Sequence, residues 1–292
     1  MGGPGSEREV SLASGRSVVK ALQEAGYNAV PVDVTSEHIE LPEGTDVAFN
    51  VIHGTFGEDG GLQRVIGGMG VPFTGAGVAA SELAFDKVLS KRAFVAANVP
   101  TPASEIIKHG ELPKMSLPLV VKPAREGSSV GVHLVHAIED LQASLDDAAK
   151  YGEEILIEQL IIGKELTVGV LGDEVFPIVH ICPRSGFYDM SNKYPWMAGG
   201  GGTDYFCPAE LSLEQTKSVQ AAALAAHRSL GIEVYSRVDV LLDEKSQPWV
   251  LEANTIPGMT ESSLLPKAAR AAGIEFAELC VKIINLSIQK QS

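Results

Sequence analysis

Val10, Ala13, Val18, Ala21, Leu22 and Ala25 recur at near-helical spacing, so the pattern predicts a helix over residues 7–25, opened by a Ser6/Glu9 capping box and ended by Gly26. Apolar runs at 28–34 and 47–52 read as strands, the second nearly all apolar, as suits a parallel strand covered on both faces. A short helix at 60–68, a short strand at 71–74 and one helix over 81–97, stopped by Asn98-Val99-Pro100, follow. Gly2 and Gly3 form the kind of turn that an incoming strand feeds into a helix. The expectation is therefore that the start at Met1 is late and that an edge strand is missing.

From Leu117 the pattern changes to short strands joined by tight turns. LPLVVKPAREGSSVGVHLV reads as strand, glycine-serine loop and strand, residues 139–150 as a helix, and 154–181 as further strands with a turn at Gly172-Asp173. Residues 184–207 read as one long loop containing four consecutive glycines; loops of that length usually act as lids. A second capping box, Ser212 with Gln215, precedes an alanine-rich helix to Leu230. RVDVLL and WVLEAN, separated by the turn-like DEKSQP, predict an antiparallel hairpin, and helices close the chain at 263–272 and 275–287. The fold class is thus α/β followed by α+β, read as an N-terminal parallel-sheet unit (1–84) and two further units (85–180 and 181–292).

The 292 residues suffice for a large core, and no apolar run has the length of a membrane span. A formal charge of −14 argues against a nucleic-acid surface, which needs a basic footprint, while leaving room for a locally basic pocket. The N-terminus lacks the apolar core of a signal peptide, and Cys182, Cys207 and Cys280 have no metal-type spacing. Both point to a reduced, cytoplasmic setting.

The densest chemistry lies in LEANTIPGMTESSL, 251–264. Glu252 and Asn254 are two apart and so share a strand face, and an antiparallel partner brings Asp239 alongside them. Two carboxylates and an amide oxygen suit a hard cation such as Mg²⁺; a solvated hairpin face is the competing interpretation. HGTFGEDG (53–60), at a strand's C-terminal end, is placed where open α/β sheets bind ligands; a surface loop whose glycines only shape the turns is the competing interpretation. Lys122 closes an apolar strand just before the EGSSVG loop, whose N–H groups can fold over phosphates; a strand-end solubilising lysine, with Glu158 a surface acid, is the competing interpretation, and no P-loop, HExxH or GxSxG motif occurs.

Taken together, SEREVS, HGTFGEDG, VVKPAREGSSVGV, NKY (192–194), YFCPAE, RVDV and LEANTIPGMTESSL resemble the D-alanine–D-alanine ligases of the ATP-grasp superfamily, from Gly2 nearly to the C-terminus. The resemblance implies that ATP phosphorylates the carboxylate of one D-alanine and that the amine of a second attacks the acyl phosphate, in a cytoplasmic homodimer supplying cell-wall precursors. It implies that Lys87 and Lys122 meet the ATP phosphates under the 127–131 loop, which includes Ser129, and that Glu158 and Glu165 face adenine and ribose. Asp239, Glu252 and Asn254 would hold two Mg²⁺, for which Mn²⁺ can substitute. Arg237 and the Gly258 N–H would stabilise the oxyanion. Glu7 would stand near the first D-alanine's ammonium and His53 near its carboxylate, with Ser128 and Tyr194 completing a hydrogen-bonded set with Glu7 that ties the lid loop to the substrate. Lys193, Ser263 and the Leu264 N–H would meet the acceptor's carboxylate. The lid segment departs from the family pattern around 189–204, though Tyr194 favours the dipeptide product. Two alternatives stay open: a ligase that uses D-lactate or D-serine as acceptor, and a nucleotide-binding chain left inactive by the missing strand.

Overall fold

The computed structural model describes residues 1–127, 130–184 and 202–291. Its centre is a six-stranded antiparallel sheet built from β5 (Gly163–Leu171), β6 (Glu174–Val175), β7 (Val179–Pro183), β8 (Thr203–Phe206), β9 (Tyr235–Asp243) and β10 (Pro248–Asn254), in the order β10-β9-β5-β7-β8 with β6 on β5. Ala223 and Ala226 of α6 (Leu213–Ser229), with Leu230 at its C-cap, pack one face, joined by Ala80 of α3 (Val78–Phe85) and Phe94 of α4 (Lys87–Ala96). The other face is closed by α7 (Leu264–Ala271) and α8 (Phe276–Gln291), with Val18 and Leu22 of α1 (Arg8–Glu24) reaching the same core. A four-stranded antiparallel sheet, β1 (Ser104–Lys108), β2 (Leu119–Pro123), β3 (His133–Val135) and β4 (Glu154–Gln159), in the order β1-β4-β2-β3, rests on α5 (Ile138–Ala148). In chain order the four-stranded sheet ends with Gln159 and the six-stranded sheet begins with Gly163.

The Ser212 box forms as read: the Ser212 hydroxyl accepts from the Gln215 N–H, and the Gln215 side chain accepts from the Ser212 N–H. The Ser6 box does not form, because α1 starts one residue later with Glu7 at the N-cap and no side-chain cap. The expected helix over 81–97 is two helices. Asp86, at ψ 106°, leaves the helical region and accepts the N–H groups of Val88 and Leu89, so it caps α4 inside what the apolar pattern reads as one continuous helix. Thr203–Phe206, expected within a loop, is the edge strand β8.

The N-terminal strands are reduced to single parallel bridges, Gly2 with Val34 and Ala48 with Phe73. The reason lies at the strand end: Asn50 N–H donates to the Thr74 hydroxyl, Ile52 N–H to the Asn50 side chain, and His53 N–H to the Ser11 hydroxyl. Side chains thus take the donors that a ladder would use. Met1–Gly3 themselves run beside 32–34: the terminal ammonium donates to Val32 O, Val34 N–H to Met1 O and Gly3 N–H to Val34 O. The helix carrying Glu7 is thereby tied to the rest of the parallel layer.

Inside α6, buried His227 shares a 2.8 Å hydrogen bond with the buried Ser236 hydroxyl, and burial lowers its pKa to about 4. The folded state keeps the imidazole neutral where the unfolded chain, titrating near 6.5, takes up a proton. Stability is therefore complete above that pH and falls by about 3 kcal/mol as the pH drops from 6.5 towards 4. Urea unfolding at pH 7 and 4.5 checks this; a His227→Gln chain with the same pH slope would count against it.

Candidate active site

The hairpin of β9 and β10 carries one wall of a cleft of about 400 Å³. Its register pairs Glu252 with Asp239 and Asn254 with Arg237, so all four side chains share one face. That depends on a bulge at Leu251: Val250 pairs with Val240, and an unbroken ladder would set Glu252 against Val238, whose side chain is wholly buried. Carboxylates directly opposite one another repel, and here each is met by a cation. Arg237 donates from Nε and Nη2 to the two oxygens of Asp239 at 3.0 and 2.9 Å, Thr167 adds a hydroxyl bond at 2.6 Å, and Lys87 Nζ stands 3.6 Å from Glu252. Lys87 is delivered by the break at Asp86, which makes it the first residue of α4, its own N–H bonded to Ala124 O.

The opposite wall comes from the N-terminal layer. Glu7 is buried, and a Cβ at Gly54 or Gly127 would stand 2.8 or 3.2 Å from its Oε2; the missing side chains let the 53–60 turn and the loop after β2 close on this carboxylate. His53 Nε2 lies 3.2 Å from Ser14 Oγ, which also accepts the Met259 N–H, and His53 Nδ1 lies 3.5 Å from Glu58. Met259, Ser14, His53 and Glu58 thus form a chain of polar contacts linking the two walls. Burial pushes the Glu58 carboxyl above its ordinary value, and the charge of Glu7 adds to this against the pull of His53.

At the third side, Ser263 is the N-cap of α7, but its hydroxyl makes no cap bond; it accepts the Thr260 N–H at 3.1 Å and meets the Thr260 hydroxyl at 2.8 Å. Gly258, Ser263 and Leu264 line the cleft.

Glu7, His53, Lys87, Arg237, Glu252, Asn254, Gly258, Ser263 and Leu264 are brought together around this one space. Asp239 sits directly behind the lining, 8% exposed. Lys122 and Glu158 face each other outside the lining, at 2.6 Å, and Glu165 lies on β5 beside Ile181 and Leu241. Ser128, Ser129, Lys193 and Tyr194 fall outside the described residues. Sequence reasoning gave no role to Ser14, Glu58 or Lys91. Glu58 stood inside the HGTFGEDG motif and could have been picked out there; Ser14 and Lys91 are ordinary polar positions of helices, visible only through their partners.

Glu252 and Asn254 on the cleft with Asp239 behind them, beside two cations and across from a buried carboxylate and imidazole, suit phosphoryl transfer to a small charged acceptor. The family model described as D-ala D-ala ligase C-terminus matches residues 90–285. A D-alanine–D-alanine ligase of Methylacidiphilum infernorum is 46% identical over 98% of this chain and 93% of its own length. The chain belongs to the D-alanine–D-alanine ligase family. Another such ligase, of Hydrogenovibrio crunogenus, is 41% identical over 99% of this chain and 93% of its own. The ligase of Bacillus anthracis complexed with ATP superposes with a TM-score of 0.85 at 31% identity, covering 100% of this chain and 96% of that one. The architecture is accordingly the ATP-grasp fold of these ligases. Among the described residues, no helix is long and apolar enough to cross a membrane.

Proposed function

We propose that the chain joins two D-alanine molecules into D-alanyl-D-alanine, with ATP converted to ADP and phosphate, for cell-wall precursor synthesis in the cytoplasm. The observation that carries this reading is the facing of two walls across one cleft: Glu7 and His53 on one, and the Arg237, Asp239, Glu252 and Asn254 face on the other. The terminal phosphoryl group of ATP passes to a carboxylate oxygen of the first D-alanine. The neutral amine of the second then attacks the acyl carbon, and phosphate leaves from the tetrahedral adduct.

In this reading Glu7 binds the first ammonium, Ser128 and Tyr194 form a hydrogen-bonded set with Glu7 that ties the lid loop to the substrate, and His53, steadied by Ser14 and Glu58, binds the first carboxylate. Arg237 and the Gly258 N–H receive the charge that develops on the oxyanion. Lys193, Ser263 and the Leu264 N–H at the start of α7 hold the acceptor carboxylate. Lys87 and Lys122 meet the phosphates under the 127–131 loop with Ser129, and Glu158 and Glu165 serve the adenosine end. Asp239, Glu252 and Asn254 form an all-oxygen set that fits two Mg²⁺, or Mn²⁺ in their place, with Arg237 beside the Asp239 carboxylate and Lys87 beside that of Glu252. When bound, the ions would neutralise phosphate charge and align the transferring group. The family likeness also supports a homodimer as the working assembly, with the three sequence units, 1–84, 85–180 and 181–292, closing on ATP.

Purified protein given ATP, Mg²⁺ and D-alanine is expected to release phosphate only when D-alanine is present and to form the dipeptide. ATP turnover indifferent to D-alanine would overturn the proposal. D-Lactate and D-serine offered in competition at neutral pH test the acceptor, and preferential formation of the D-lactate depsipeptide or of D-alanyl-D-serine would reassign it.

A further inference from the structure

Helix α4 carries two lysines one turn apart on the same face, and they serve different sheets. Lys87 reaches Glu252 on β10. Lys91 is buried, with 5% exposure, and pairs with Glu158 on β4. Its ammonium also donates to the Thr101 hydroxyl and lies 3.5 Å from Pro102 O, and Thr101 in turn donates to Val250 O of β10 at 2.7 Å. The other carboxylate oxygen of Glu158 is held by Lys122 at 2.6 Å, and Glu158 is 1% exposed.

Two ammoniums therefore share one buried carboxylate. Burial opposes ionisation of Glu158, yet Lys122 and Lys91 more than offset it and hold the carboxyl below its ordinary value. Burial draws Lys91 below the usual lysine value, whereas Glu158 keeps Lys122 above it in spite of burial. One lysine would neutralise the carboxylate, and a second buried cation carries its own desolvation cost, so the second calls for a reason. The two differ in tether. Lys91 is fastened through Thr101 to the edge of β10; the Lys122 side chain is the more exposed, at 13% against 6%, and stems from the end of strand β2, just before Pro123 closes it.

We propose that Lys91 is a positioning residue for nucleotide binding: the standing counter-ion of Glu158, which frees Lys122 to leave that carboxylate for the phosphates. This rests on the reading of Lys122 as a phosphate-binding lysine. When Lys122 turns to a phosphate, the Glu158–Lys91 pair stays neutral in the interior. Without Lys91, the same move strands a buried carboxylate.

Lys91→Met leaves the neutral Lys122–Glu158 pair, so the chain is expected to fold; Lys91→Gln, which keeps a donor for Thr101, is the second variant. ATP dissociation constants measured by calorimetry, with Mg²⁺ present, are expected to rise about tenfold or more in both, because binding then strips a buried charge of its partner, while kcat at saturating ATP changes less than about threefold. In a Glu158→Gln background the same Lys91 substitutions are expected to change ATP affinity less than about twofold, there being no carboxylate left to strand. Unchanged affinity in the single variants, or equal weakening in both backgrounds, would overturn this role alone. Failure of the unsubstituted protein to bind ATP would overturn the nucleotide reading with it.

Discussion

Glu252→Gln is expected to lower D-alanine-dependent phosphate release by about 10³-fold, since charge neutralisation by metal at a phosphoryl centre is worth several kcal/mol. The substitution conserves volume and removes only the negative charge. The Glu252 side chain is 36% exposed and pairs across the hairpin with Asp239, so its charge is dispensable for folding and even unfavourable opposite a second carboxylate. The thermal midpoint should therefore hold or rise slightly. Lys87, 3.6 Å away, loses a partner and becomes freer for phosphate, which works against any large loss of ATP affinity. The signature is a collapse of turnover with the fold intact and a requirement for higher Mg²⁺, read by titrating Mg²⁺ against phosphate release. Turnover within about threefold of the parent would remove Glu252 from the metal set.

The hairpin that makes this prediction possible was legible because its signals are local: two apolar runs, a polar turn, and acids spaced by two. The bulge at Leu251 was not. Nothing in LEAN marks the extra residue, and it is tertiary burial of Val238 and Val250 that forbids the straight ladder. Likewise the Ser212 box reads correctly because all its partners lie within one turn, whereas the break at Asp86 is reinforced by Arg125, whose Nε donates to the Asp86 carboxylate at 2.7 Å from 39 residues away. Strand β1 escaped notice for the opposite reason: it is an edge strand in which only Ile107 is buried, so it has no clean alternation to detect. The N-terminal strands are shorter than their apolar runs predict, because such runs do not disclose that Asn50, Thr74 and Ser11 take the backbone donors at their ends. Of the site, the residues that touch the cleft were largely readable from motif order. Those that act from behind it, Ser14 on His53 and Lys91 on Glu158, become visible only once helices and sheets are packed.

Arg237 makes the sharpest separation between binding and chemistry. Arg237→Met is expected to reduce kcat by about 10²–10³-fold, the usual loss when a donor to a developing oxyanion is removed, with ATP affinity changed only a few-fold. The guanidinium lines the cleft from β9, opposite Asn254, and grips Asp239 with two nitrogens. When a methionine replaces it, Asp239 keeps the Thr167 hydroxyl at 2.6 Å, so the carboxylate stays in position and gains net charge to offer a cation. Metal and nucleotide binding should therefore survive, while the tetrahedral adduct loses its positive neighbour. Arg237→Lys restores the charge without the planar fork and should recover part of kcat, giving the order Arg, Lys, Met. Single-turnover measurement of acyl phosphate trapping against dipeptide formation locates the defect: phosphoryl transfer should proceed and amine attack should stall. A variant that loses ATP binding and kcat in parallel would instead make Arg237 a partner of the phosphates, and the oxyanion would then depend on the Gly258 N–H alone.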